Sequence, residues 1–382
     1  MKNAKSSFAD RCRKRRGAVV RHLQRWHNID VAWITNRSDI RYLSGGSEGV
    51  NGLLIGPGWA VAVTSKMFAS VLPAQVPGCD VLVGAADKQI ADVMRKHTYR
   101  RGLGIQGRHL SWVRYRAMTD ALGTRKLVDI ADAVAVARAV KDDEEIRLIR
   151  RCVSLAQRGY RELIAQGAKY LMRHTERELA AELEYRMRML GADRQAFPGG
   201  IIVASGPNSA SCHHEPTRRK VRRGEALLFD WGAEYDGYRS DITRTVFIGS
   251  PSEKMQRVYE TVQKANTAGV TAVRAGITCD RVARAGWDVV RDAGYGDLIR
   301  HGLGHGIGLD VHEEPGLGAG GSQASSGKAK LRKGMVVTIE PGIYLDGIGG
   351  VRIEDDVLVM PGADSKALTS LPRSLQKAVL PV

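Results

Sequence analysis

Apolar and polar positions are most informative between Leu227 and Phe247, LLFDWGAEYDGYRSDITRTVF. Leu227 to Phe229 is an apolar run that ends on Asp230, and Tyr235-Asp236-Gly237-Tyr238 is a turn signal. Asp241 to Phe247 then alternates, with Asp241, Thr243 and Thr245 on one face and Ile242 and Val246 on the other. The pattern predicts a β-hairpin in which Asp230 and Asp241 point the same way from adjacent strands. Two carboxylates side by side in a half-buried sheet repel, and a divalent cation is the simplest compensation.

Upstream, the periodicity alternates between short strands and helices. Val19 to Trp26 reads as an amphipathic helix and Ile29 to Thr35 as a strand, followed by a loop, NRSDIRYLSGG. Gly52 to Ile55 and Ala60 to Thr64 pair across Gly56-Pro57-Gly58, and Asp80 to Val83 and Gly102 to Ile105 are further strands. Gln89 to His97 and Ser111 to Leu122 read as helices. This is the grammar of a small α/β domain. From Asp142 a long helix follows, with Ile146, Ile149, Val153 and Ala156 at helical spacing. Thr175 to Glu178 is a capping box for a helix that Gly191 ends. Ile201 to Ala204 is a strand, Ser205 to Thr217 a polar loop, and Ser252 to Ala275 and Thr278 to Ala293 are helices. The remainder to Met360 is rich in glycine and strands. The expected organisation is a basic tail (1–16), an N-terminal domain (17–135), a linker with the start of a helix (136–150) and an α+β second domain (151–382).

Composition changes this picture little. At 43% hydrophobic and 26% charged, the 382 residues are those of an ordinary soluble chain. No apolar run has membrane-spanning length, and the basic opening lacks the apolar stretch of a secretory signal. Five scattered cysteines suit reduced thiols and a cytoplasmic location better than a disulfide framework. The net charge of +17 concentrates in Arg11 to Arg16 and Arg218 to Arg223. No nucleic-acid-binding pattern accompanies these runs, so they read as solvated surface.

Three further stretches carry candidate chemistry. HGLGHGIGLDVHE sets His301, His305 and His312 among glycines; VVTIEPGIY flanks Glu340 with apolar residues; GGVRIEDDVLV puts Arg352 and Glu354 on one side of a strand. Two Asp, two Glu and one His form an oxygen-rich set whose four negative charges two divalent cations would neutralise. Gly316 to Gly321 matches GxGxxG but lies in a Gly/Ser-rich loop, follows no strand and opens no helix, so a dinucleotide site is not expected there.

The set FDWG…SDITRT, HGLGHGIGLDVHE, TIEPGIY and GGVRIEDD resembles the pita-bread metallopeptidases, in their proline-directed branch of Xaa-Pro aminopeptidases and prolidases. The resemblance implies an α+β pita-bread catalytic domain preceded by a smaller α/β creatinase-type domain that carries SDIRYLSG. It implies metal ligands Asp230, Asp241, His305, Glu340 and Glu354, with Asp241 and Glu354 bridging two ions of Mn, Co or Zn. It further implies Glu340 as general base for a bridging hydroxide and His312 as proton-transfer aid. His213 would contact substrate, and His301 and Arg352 would border the proline pocket. Cys212 stands where a proline commonly precedes the first histidine, and His214 follows at once, so both histidines stay open as the substrate contact. A cytoplasmic homodimer acting on peptides with proline second is expected, as dipeptidase or aminopeptidase. The rival reading is a catalytically inactive or differently specific pita-bread protein that acts as a peptide- or nucleic-acid-binding module.

Overall fold

A computed structural model describes residues 2–84, 89–93, 102–123, 126–318, 328–362 and 365–382, the side chains of 2–7 excepted. The chain divides into two compact units, Met1–Arg138 and Ala139–Val382.

In the first unit β1 (Ala32–Ile34), β2 (Val50–Gly56), β3 (Trp59–Thr64), β4 (Asp80–Val83), β5 (Leu103–Ile105) and β6 (Leu127–Asp129) form one mixed sheet. Its order is β4-β3-β2-β1-β5-β6. Trp33, Leu54, Val61, Val63, Leu103 and Met118 build its core. Helix α1 (Lys2–Trp26) absorbs the basic opening, so residues 8–16 are helix rather than tail. Its Cys12 and Arg16 are buried, and Arg16 donates to the Leu43 and Gly78 carbonyls at 2.8 and 2.9 Å. The stretch read as a loop after β1 is helix α2 (Arg37–Ser44). Asn36 caps it by accepting from the Asp39 N–H, and Gly45 ends it in the left-handed region, φ +99°. Of the helix expected at Gln89 to His97, residues 89–93 are helical and the rest of the stretch lies outside the described residues.

In the second unit, capping boxes start α3 (Asp143–Ile164), through Asp142 and Glu145, and α4 (Glu176–Met189), through Thr175 and Glu178. The hairpin is β9 (Ala226–Trp231) and β12 (Ile242–Ile248), antiparallel, with Asp230 opposite Thr243 and Trp231 opposite Ile242. Strands β7 (Arg194–Gln195), β10 (Ala233–Tyr235) and β11 (Tyr238–Arg239) decorate its turn. β8 (Ile202–Ser205) and β20 (Val379–Leu380) complete the sheet β20-β12-β9-β8. A second sheet runs β14-β13-β15-β18-β19: β13 (Gly304–Gly306), β14 (Glu313–Leu317), β15 (Val336–Ile339), β18 (Asp355–Leu358) and β19 (Lys366–Ala367). β16 (Gly342–Leu345) and β17 (Gly349–Arg352) form a separate hairpin. Helices α5 (Glu253–Ala272) and α6 (Cys279–Asp292) cover these sheets through Val258, Val262, Trp287, Leu303, Ile339 and Ile353. Gly316 and Leu317 of the GxGxxG match belong to β14, correcting the expectation that no strand meets it; residues 319–321 lie outside the described set.

Candidate metal centre

Each acid of the oxygen-rich set stands at or beside a strand end. Asp230 lies on β9, Asp241 directly before β12, Glu340 directly after β15, and Glu354 between β17 and β18. Backbone bonds set their places: Glu340 N–H donates to the Leu303 carbonyl at 2.8 Å and Glu354 N–H to the Thr243 carbonyl at 3.0 Å. Asn266, fully buried on α5, donates to the carbonyls of Ile339 and Ile353 at 2.9 and 3.2 Å. One amide therefore fixes the residues that precede both glutamates.

The ligand atoms of Asp241, His305 and Glu354 lie within 4.8 Å of one another. His305 Nε2 is 3.7 Å from Asp241 Oδ2 and 3.3 Å from Glu340 Oε1. Its Nδ1 lies 3.0 Å from the Gly306 carbonyl, so Nδ1 carries a proton and Nε2 faces the acids as the atom that could ligate a metal. Glycines let the histidine approach this closely. A Cβ on Gly304 would sit 2.0 Å from the Thr338 carbonyl oxygen, and one on Gly306 2.2 Å from that of Glu314. Asp230 is tied differently, with its Oδ2 accepting from Arg352 at 2.6 Å. Thr243 Oγ1 donates to Glu354 Oε2 at 2.7 Å and accepts from Arg352 Nε at 3.1 Å.

The electrostatics show what the cluster lacks. Burial, then the charges of Glu354, Asp230 and Glu340, push Asp241 well above the carboxylate range. Burial, then Glu340 and Asp230, do the same to Glu354. Asp230 is raised by burial, with Arg352 opposing. Burial also pushes Asp356 up to about 8, although it accepts from the Asp241 N–H at 3.1 Å. Glu340 goes the other way. Burial opposes its charge, but the His305 hydrogen bond and the charges of His301, His305 and Arg352 hold it down to about 2. Among the described residues Asp230 Oδ1, Glu354 Oε1 and Asp356 Oδ1 are buried with no hydrogen-bond partner. Acids kept from ionising and oxygens left unsatisfied fit a missing positive charge, and the O/N donor set suits a hard or borderline divalent cation.

Around this centre a second set converges. Arg352 donates to Tyr344 Oη at 2.8 Å, and Tyr344 Oη lies 2.8 Å from His301 Nε2, whose Nδ1 is 2.8 Å from the Gly302 carbonyl. The protons then run one way: Arg352 to Tyr344, Tyr344 to His301. His312 packs edge-on to His305, centroids 4.3 Å apart, and desolvation with the His305 charge brings it down to about 4. His213 is exposed, and its charge acts on Asp230, His301 and His312. His214 turns elsewhere, its Nε2 2.9 Å from Glu176 Oε2. Of the two histidines, His214 is thus committed to Glu176, and His213 is left at the exposed face of the loop. Sequence reasoning missed Tyr344, Asp356, Asn266 and Glu176. The first two sit inside quoted motifs; no periodicity marks the others.

The chain matches two family models, Metallopeptidase family M24 over residues 147–361 and the Creatinase/Prolidase N-terminal domain over residues 15–140. It is 33% identical over 352 residues to the Xaa-Pro dipeptidase of Pyrococcus furiosus, covering 91% of this chain and 96% of that one. A solved Xaa-Pro dipeptidase from Bacillus anthracis superposes with a TM-score of 0.86 at 31% identity, covering 96% of this chain and 99% of the other. An X-Pro aminopeptidase from Thermotoga maritima does so with 0.81 at 32%, covering 94% and 100%.

Proposed function

We propose a function from the premise that the chain belongs to metallopeptidase family M24: hydrolysis of the peptide bond preceding proline, in peptides whose second residue is proline. The family implies divalent metal ions. The observation that carries the reading is the convergence of Asp241, His305 and Glu354, with buried acceptors left over on Asp230 and Glu354. Asp230, Asp241, His305, Glu340 and Glu354 would hold two ions of Mn, Co or Zn. Bound there, such ions polarise a carbonyl and make water acidic near neutral pH.

The chain's own residues do the rest. Glu340, ionised at neutral pH, receives the proton of the attacking water at Oε2, the oxygen turned from His305 Nε2, and delivers it to the departing proline nitrogen. His312, uncharged at neutral pH, donates its ring N–H to the carbonyl oxygen as charge develops there. His213 contacts the substrate, and His301 and Arg352, tied through Tyr344, border the proline side. No described helix is long and apolar enough to cross a membrane.

Dialysis against chelator should abolish cleavage of Ala-Pro, and Mn²⁺ or Co²⁺ should restore it. Undiminished cleavage by metal-free protein rejects the scheme. Absence of bound metal in the purified protein, with salt-sensitive nucleic-acid binding, would favour the non-catalytic binding module.

A further inference from the structure

We infer that Glu176 is the positioning residue for His213, holding the loop between Ser205 and Thr217 so that this histidine faces the metal centre. The inference rests on the reading of His213 as a substrate contact. Glu176 opens α4 and is 0% exposed. Its Oε1 accepts from Ser205 N and Oγ at 2.8 and 2.7 Å and from Asn208 Nδ2 at 2.9 Å. Its Oε2 accepts from Thr217 N and Oγ1 at 3.0 and 2.7 Å and from His214 Nε2 at 2.9 Å. The start, middle and end of one loop therefore meet on one carboxylate.

That carboxylate has no capacity left for a ligand, since it offers about four lone-pair directions and six donor groups already share them. The hydrogen bonds of Thr217, His214 and Ser205 outweigh burial and hold it down to about 2, so it stays charged at neutral pH. The loop's other side is pinned by Arg352 of the proposed site and by two further groups, Arg300 and Gly350. Arg352 donates to the Cys212 carbonyl at 3.4 Å, Arg300 to the Ala210 carbonyl at 3.1 Å, and Gly350 N–H to Ser209 Oγ at 2.8 Å. His213 thus sits between two ties, Cys212 to Arg352 and His214 to Glu176. Release of the second frees the histidine on one side.

The test is Glu176→Gln, which turns one acceptor oxygen into an amide facing N–H and O–H donors. We expect kcat/KM for Ala-Pro to fall about ten- to a hundredfold, mostly in KM, with bound metal unchanged. Backbone amide exchange should quicken over residues 206–216 and stay as in wild type over 226–231 and 242–248. In a His213→Ala background, Glu176→Gln should cause no further fall. His214→Ala should give a smaller effect of the same kind, and His214→Gln, which keeps an N–H donor, should recover most of it. Wild-type kcat/KM in Glu176→Gln, an equal fall without His213, or loss of metal would each overturn the inference. If Glu176→Gln does not fold, Asn208→Ala and His214→Ala decide on the same readouts. If the wild type cleaves no Xaa-Pro peptide, the peptidase reading fails by itself. Exchange over 206–216 and the His213 ring resonance then decide: both moved supports the tie, both unmoved overturns it.

Discussion

Removing metal from this protein should make it less stable as pH rises from 6.5 to 8, and Asp356 supplies one share of the effect. Burial moves its carboxyl from 3.8 up to about 8. A group whose folded pKa lies above its unfolded one binds more protons in the native state. Its stabilisation is complete below the unfolded value and is lost as pH climbs through the folded value. Asp241 and Glu354 shift in the same sense, as does His305 through its bond to Glu340. Groups shifted the opposite way, Glu340 and Glu176 to about 2 and His312 to about 4, have titrated below 6.5, the ordinary histidine value. Above it the raised groups, the buried carboxyls together with His305, set the sign of the slope. At about 1.4 kcal/mol per pH unit, Asp356 by itself costs about 2 kcal/mol over this window. For a unit of this size that is a fall of about 4–8 °C in Tm. Calorimetry of chelator-treated protein at three pH values measures it, with Asp356→Asn as the control that removes one proton's share of the slope. Metal-loaded protein should show the reverse slope, because its ligands bind deprotonated. A metal-free Tm that holds or climbs between pH 6.5 and 8 would refute the account.

Three other outcomes follow from contacts described above. Asp241→Asn or Glu354→Gln should abolish metal binding by elemental analysis and lower kcat by more than the ~10–100-fold typical of outer partners. Thr243→Val and Asn266→Ala, which remove supports of Glu354 and of both glutamate-bearing turns, should weaken metal affinity about 10–100-fold by titration calorimetry while the far-UV spectrum stays native. Lys141→Met should destabilise the fold by about 3–5 kcal/mol in urea unfolding, since the Lys141–Glu313 pair, at 3.0 Å, has side chains only 1% and 4% exposed.

The hairpin carrying Asp230 and Asp241 was readable because an apolar run ends on the first acid, polar and apolar residues alternate after the second, and its turn carries Asp-Gly. The proposed ligand histidine was readable for another reason: glycines crowd His305, and few other needs explain them. Helix α2 was missed although Asn36 and Gly45 mark both its ends, because eight residues give too short a period to outweigh the polar look of NRSDIRYLSGG. The basic opening looked solvated because charge was read without its stem. Arg16 is buried and spends its guanidinium on two carbonyls. Arg219, from the other basic run, likewise donates to Ser205 Oγ and pairs with Glu225. Glu176 and Asn266 left no trace for a deeper reason. A buried polar residue that satisfies distant backbone is defined by three-dimensional neighbours, and helical periodicity records only which face is apolar.

The bare backbone on either side of His305 narrows the routes by which this protein can diverge. Gly304 and Gly306 leave no space for even a methyl group against the neighbouring strands. An alanine at either position would wedge β13 away and carry the imidazole with it. Descendants that acquire new substrates must therefore vary the rim, where His213 and His312 stand on loops, and keep the floor beneath His305 as it is.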